Sequence, residues 1–183
     1  AANKKGVYTV LATGRILTSA LSYSKIMNLN KPIISSNGAI ITDVKNNIIF
    51  EKPIAKETVR KIIDLGNKNN IYFHFYSEDA FYSNIYVEEV MKFYQSGNSG
   101  SRAIKYNIFK DSNEVMENDE LKVYKFLFLD EDRDKLNYLR KDLSNIKDIS
   151  ISSSWDNNLE IMGQGTSKGN SLRYLCDKLS IPR

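Results

Sequence analysis

Apolar positions fall into runs with two different periods. Residues 7–13 are almost continuously apolar, which predicts a strand buried on both faces of a parallel sheet. Ile16, Leu17, Ala20, Leu21 and Met27 then share one side of a helix. Pro32 marks a turn, and residues 33–36 predict a short second strand ending at Asn37-Gly38. A β-α-β order of this kind favours a parallel pair joined by a right-handed crossover. Residues 39–43 and 48–51 flank Lys45-Asn46-Asn47 as a hairpin.

The pattern then changes. Val59, Ile62 and Ile63 mark a helix, followed by an aromatic-rich strand over 71–76 and a second strand near Phe81. Val87, Val90, Met91 and Tyr94 mark another helix, and residues 96–101 form a low-complexity Ser-Gly loop. Residues 122–129 predict a strand, and Leu136, Leu139 and Leu143 a helix. Ile149 and Ile151 alternate in a further strand, and 159–162 form the last one, before the Gly163-Gln164-Gly165 turn. Leu172, Leu175, Cys176 and Leu179 give the final helix an apolar face, with Cys176 expected in the core.

These elements predict an α/β protein: a partial Rossmann-like parallel-sheet core, residues 1–44 and 156–183, carrying an inserted α+β unit over 45–155. Both ends look cut. Residues 1–6 read as the last turn of a helix stopped by Gly6, and the final helix stops where an α/β chain would enter its next strand. The 183 residues therefore read as a piece of something longer.

Composition narrows the function classes. Apolar residues make up 42% and charged residues 26%, a globular balance. A net charge of +4, with the lysines dispersed, gives little support for a nucleic-acid partner. The single cysteine excludes a disulfide framework, and no apolar run reaches the ~20 residues of a membrane span. With no secretory leader pattern, a reducing, cytoplasmic setting is expected.

Three segments carry candidate chemistry. Thr13-Gly14-Arg15 ends the first strand, where ligands of open α/β sheets bind. The Thr13 hydroxyl and the Gly14 and Arg15 amides would suit a phosphate oxygen, or Thr13 simply caps the helix. Ser36-Asn37-Gly38-Ala39 ends the second strand beside it, as a ligand contact or a plain turn. Lys168, in Thr166-Ser167-Lys168-Gly169, opens the last helix, where a cation is electrostatically misplaced unless an anion is present. The residue order there does not fit a nucleotide-binding P-loop.

Other residues have structural readings. Asp130-Glu131-Asp132 follows an apolar strand and reads as carboxylates at a helix N-terminus. His74, the sole histidine, shares a face with Tyr72 and Tyr76. It is expected as a half-exposed strand residue, or as a substrate contact if that face looks onto the site. Trp155, at the return of the insertion, is expected to pack or to neighbour a hinge rather than to serve as a ligand platform.

Thr-Gly-Arg after the first strand, Ser-Asn-Gly-Ala after the second, Leu159-Glu160-Ile161, and Ser-Lys-Gly after a long insertion together resemble the haloacid dehalogenase-like hydrolases. The resemblance is to the Cof-type phosphatase branch and runs from Val7 to Ile181. It implies a Mg²⁺-dependent phosphatase acting on small phosphorylated metabolites through an aspartyl-phosphate. Thr13 and Gly14 would hydrogen-bond the phosphoryl group. Lys168 would hold that group beside the nucleophilic carboxylate. Arg15 and Asn37 would be further substrate or positioning contacts. The insertion would be a cap that closes on the site and selects substrate. The family's Asp-x-Asp-Gly-Thr and Gly-Asp-x-x-Asn-Asp motifs are absent from these residues, so the nucleophile and Mg²⁺ ligands are not here, and inactivity of this chain alone is expected. The alternative is a non-catalytic module that binds a small molecule or phosphosugar.

Overall fold

The computed structural model describes residues 7–95, 104–109 and 111–182. The expected helix end over 1–6 and the loop over 96–101 lie outside these residues.

The apolar runs of the N-terminal segment build a four-stranded sheet from β1 (Leu11–Ala12), β2 (Ile33–Ser35), β3 (Ile40–Thr42) and β4 (Ile48–Glu51), in that spatial order. β1 and β2 are parallel, joined through α1 (Leu17–Ile26) as the β-α-β pattern requires. β2, β3 and β4 continue antiparallel, and the predicted hairpin joins the last two. The first strand is shorter than the apolar run. Only Leu11 and Ala12 pair with β2, and Val7, upstream of this ladder, is 53% exposed. Two-sided burial of residues 7–13 is therefore corrected: β2 begins at Ile33 and offers nothing further upstream to pair with. Met27 is likewise exposed, because α1 ends at Ile26 before its apolar stripe reaches it.

Six further strands form a second sheet: β5 (Tyr72–Tyr76), β6 (Ala80–Ser83), β7 (Lys105–Ile108), β8 (Lys125–Leu129), β9 (Ile149–Ser152) and β10 (Asn158–Gly163), in the order β7-β6-β5-β8-β10-β9. Helices α2 (Lys56–Lys68), α4 (Ser112–Glu117) and α5 (Arg133–Leu143) cover one face, and α3 (Glu88–Gln95) links β6 to the segment leading to β7. Alternation along each strand decides which side chains meet those helices. Phe73 and Phe75 of β5 and Phe126 and Phe128 of β8 pack with Val59, Ile62, Leu136 and Leu139. The intervening residues, His74, Tyr76, Lys125 and Leu127, point to the other face, toward the first sheet.

Two strands sit in a different sheet from the one expected. β4, placed by the sequence within the insertion, is hydrogen-bonded into the first sheet. β10, placed in the returning flank, lies between β8 and β9 in the second. β7 and α4 have no counterpart among the predicted elements. The sheets are stitched together by apolar contacts. Ile16, at the start of α1, packs against Tyr76 and Phe81, and Leu17 and Ile40 pack against Tyr124.

The chain returns to the first sheet through α6 (Lys168–Lys178), which packs on β2 and on the tight turn Ser36–Gly38. Leu175 is buried against Ile34 and Ile41. Leu172 and Leu179 are exposed and Cys176 is only half-buried. The expected burial of Cys176 is corrected, because that side of the helix faces a shallow groove shared with Val7, Tyr8 and Pro182.

Candidate functional site

A cleft of about 260 Å³ opens between the sheets, lined on one side by Thr13, Gly14, Arg15, Asn37 and Lys168. The second sheet contributes Tyr76, Lys125, Leu127, Asn158 and Glu160, and the turn before β10 contributes Ser154 and Trp155. Five of the six sequence-derived candidates therefore meet in one place.

The first sheet builds its side from backbone hydrogen bonds. The Thr13 amide donates to the Ile34 carbonyl at 2.9 Å, and the Thr13 carbonyl accepts from the Asn37 amide at 3.1 Å, so the two strand ends are fixed side by side. Thr13 does not cap α1, whose N-cap is Ile16. Instead its hydroxyl accepts from the Arg15 amide at 3.2 Å, so that amide is already committed and is not a spare phosphate donor. The Gly14 amide donates to no acceptor among the described residues. The Arg15 guanidinium sits over the Tyr23 ring, 4.6 Å from its centroid.

Ser36 and Asn37 both adopt left-handed backbone, φ 47° and 57°, conformations that persist where surrounding contacts over-determine them. α6 supplies those contacts. The Ser171 hydroxyl donates to the Gly38 carbonyl at 2.7 Å. Gly38, at φ 104°, lies so close that a Cβ there would be 2.5 Å from the Ser167 carbonyl oxygen. This fit seats the N-terminus of α6, and with it Lys168, beside Asn37. Ser167 caps the helix by accepting from the Asn170 amide, leaving Lys168 as its first residue. Lys168 is exposed and forms no ion pair among the described residues.

Lys125 was not singled out by the sequence. It is 3% exposed, and its ammonium donates to Glu160 at 2.7 Å and to the Gly14 carbonyl at 3.4 Å. Tyr76 lies beneath it, with the ring centroid 5.4 Å from Nζ. Burial pushes the Lys125 ammonium below the usual lysine range, against the pull of Glu160, and Lys168 adds repulsion. For Glu160 burial works upward. The Lys125 charge and the hydrogen bonds from Lys125, Asn37 and Ser154 outweigh it, so the carboxyl is held below its ordinary value and is ionised at neutral pH. Three cationic side chains thus share the cleft with one carboxylate. Glu160 neutralises Lys125, and Lys168 remains available to an anion. A lysine inside an otherwise apolar strand, Lys-Phe-Leu-Phe-Leu, was the available signal for Lys125.

His74 is fully buried rather than half-exposed, and it does not line the cleft. Its Nδ1 lies 3.2 Å from the Tyr72 hydroxyl, and its ring stacks on Tyr76. Burial, then the Lys125 charge, pushes its pKa down to about 3. His74 and Tyr76 do share a face, but that face is buried, with Phe81 packed edge-on against the His74 ring. The Asp130–Asp132 carboxylates act as helix-start groups: Asp132 accepts from the Asp134 and Lys135 amides.

A family model for haloacid dehalogenase-like hydrolases matches residues 1–183. The chain belongs to this family. Across 183 aligned residues it is 30% identical to a Buchnera aphidicola protein carrying a provisional phosphatase name, covering 97% of this chain and 64% of the relative. It is 26% identical to the 5-amino-6-(5-phospho-D-ribitylamino)uracil phosphatase YcsE of Bacillus subtilis, covering 98% of this chain and 61% of that protein. Its fold is similar to that of a haloacid dehalogenase-like hydrolase from B. subtilis, with a TM-score of 0.84 at 23% identity, covering 99% of this chain and 70% of the other. This member of the family thus spans a little under two thirds of the curated relatives' length.

The Mg²⁺ implied by the family does not fit the donors in the cleft. Among the described residues no group of three or more His, Cys, Asp or Glu side chains converges on one point. Glu160 is the one carboxylate lining the cleft, and it already accepts from Lys125, Asn37 and Ser154.

Proposed function

We propose that this chain forms the substrate-recognising part of a phosphatase for small phosphorylated metabolites of the sugar-phosphate type. The observation that carries this reading is the convergence of the unpaired Lys168 charge with the Gly14 amide and the Thr13 hydroxyl in one cleft. A phosphoryl dianion needs a fixed positive charge and preorganised donors, because neither then has to reorganise as charge builds on the oxygens. Lys168 supplies the charge as a compact ammonium, Gly14 the backbone donor and Thr13 the hydroxyl. Asn37 is a positioning residue, since its side-chain amide donates to Glu160 and to the Met162 sulfur. The relative named for a phosphorylated ribitylaminouracil supports a phosphate ester on a polyhydroxylated carrier. The second sheet, in this reading, is the cap that selects the leaving group.

Hydrolysis through an aspartyl-phosphate requires a carboxylate able to attack phosphorus. Glu160 is poorly suited to that role, because both its oxygens are already engaged, one by Lys125 and Ser154 and the other by Asn37. We therefore expect the 183-residue chain to bind phosphate without turning over its esters. Among the described residues no helix is long and apolar enough to cross a membrane. The test is hydrolysis of p-nitrophenyl phosphate by the purified chain in excess Mg²⁺. A rate equal to buffer agrees with this reading, and robust metal-dependent turnover contradicts it. A non-catalytic binder is favoured by the same engaged carboxylate. It is separated by assaying the protein expressed from its complete coding sequence, where phosphatase turnover would exclude it.

A further inference from the structure

Trp155 is the one tryptophan of the chain, and it is 64% exposed at the cleft. The expectation that it packs is therefore corrected. A large aromatic ring left in water forgoes the burial that usually stabilises it, so its exposure calls for a cause. The backbone around it is firmly held. Asn158, 2% exposed, uses its side-chain oxygen to accept from the Ser154 amide at 3.0 Å and from the Trp155 amide at 3.3 Å. Its Nδ2 donates to the Ser154 hydroxyl at 2.9 Å. Arg133 pairs with Asp156, and the Asn157 amide donates to Glu131. The turn is built by a buried amide and braced on both sides, so the ring is presented rather than left loose.

The rest of the wall is nearly sealed. Tyr76 and Leu127 line the same cleft but are only 1% and 8% exposed, so Trp155 is the exposed apolar side chain among those lining it. The cleft therefore has an anion end at Gly14 and Lys168 and an aromatic shelf at Trp155, with the polar groups of Ser154 near the shelf. A ligand complementary to both ends carries a phosphate and a ring with an apolar face edged by hydroxyls.

Resting on the phosphate reading above, we propose that Trp155 is a specificity-determining residue that stacks on the sugar ring of a cyclic sugar phosphate. Aromatic faces gain from such contact beyond simple area burial. The shelf contributes to ring-bearing phosphates and gives nothing to inorganic phosphate or to an open three-carbon phosphate.

The test uses the full 183-residue chain with glucose 6-phosphate, glycerol 3-phosphate and inorganic phosphate. Two readouts run in parallel: tryptophan emission, which reports only Trp155, and amide NMR shifts at Gly14 and Lys168. All three probes are expected to shift the amides, and only glucose 6-phosphate to change the emission. Trp155→Leu should weaken glucose 6-phosphate about three- to ten-fold and leave glycerol 3-phosphate unchanged. Trp155→Phe should restore most of the difference, which a merely structural role would not produce. If all three probes shift the amides equally while Trp155 stays silent, or if Trp155→Leu weakens them all alike, the shelf is overturned and the phosphate site stands. If no probe shifts Gly14 or Lys168, the phosphate reading itself fails, and the shelf with it.

Discussion

Asn37 and Glu160, 123 positions apart in the chain, are joined by a 2.9 Å hydrogen bond from the Asn37 amide to the Glu160 carboxylate. The bond crosses from the turn after β2 to the middle of β10 and so links the two sheets inside the cleft. Lys125 holds the other oxygen of the same carboxylate at 2.7 Å. One half-buried charge thus sets the positions of a strained turn and a buried lysine together. Gly14 is part of the fit: a Cβ there would lie 2.5 Å from the Asn37 side-chain oxygen.

Removing the charge of Glu160 should be far more damaging than its partial exposure suggests. Glu160→Gln leaves the Lys125 ammonium buried without a counter-charge, and a loss of about 3 kcal/mol in unfolding free energy is expected. Lys125→Met should cost about half of that, because Asn37 and Ser154 continue to satisfy the carboxylate. The double variant should lose less than the sum of the two. Urea denaturation of the four proteins measures all three values.

His74 should impose a pH dependence of its own. Its folded pKa of about 3 lies below the ordinary 6.5, so between these values the unfolded chain binds a proton that the folded chain does not. Stability must therefore rise with pH across that window and fall as the solution is acidified, by up to about 1.4 kcal/mol per pH unit. Glu160, with its lowered pKa, adds its own loss only below its ordinary value of 4.5. The interval from pH 6.5 to 4.5 isolates the histidine. His74→Phe, packed between Tyr76 and Phe81, should flatten the slope there, as read from urea midpoints at successive pH values.

The seat of α6 depends on Gly38. Gly38→Ala places a methyl group against the Ser167 carbonyl and forces a positive φ on alanine, for an expected loss of about 2 kcal/mol or more. Ser171→Ala removes only the hydroxyl bond to Gly38 and should lose about 1 kcal/mol. Both should weaken phosphate binding by moving Lys168, which an amide-shift titration of each variant measures.

Much of the frame was legible because β2, β3 and the apolar stripes of α2 and α5 bury what their periodicity says they bury. Thr13, Gly14, Arg15, Asn37 and Lys168 were legible as strand-end and helix-start residues, and the topology brings them together. The residues that escaped were those whose environment is set by distant chain. Lys125 stands in an apolar strand and finds its counter-charge 35 positions away. His74 stands on a polar-looking face where Ile16 packs against Tyr76 and Phe81 against His74 itself. Trp155 is the local exception: a residue type usual in cores, it sits on a turn organised by Asn158 three positions on. β7 and α4 are short and weakly patterned, and neighbouring elements hold them rather than their own periodicity.

If Lys168 and Gly14 form the phosphate-binding end of the cleft, a titration of the ¹⁵N-labelled chain with inorganic phosphate must register at both residues. Saturable shifts of the Gly14 and Lys168 amides, abolished in Lys168→Met while that variant remains folded, are the predicted result. Amides that do not move in the unaltered chain, or that move equally in Lys168→Met, would contradict it.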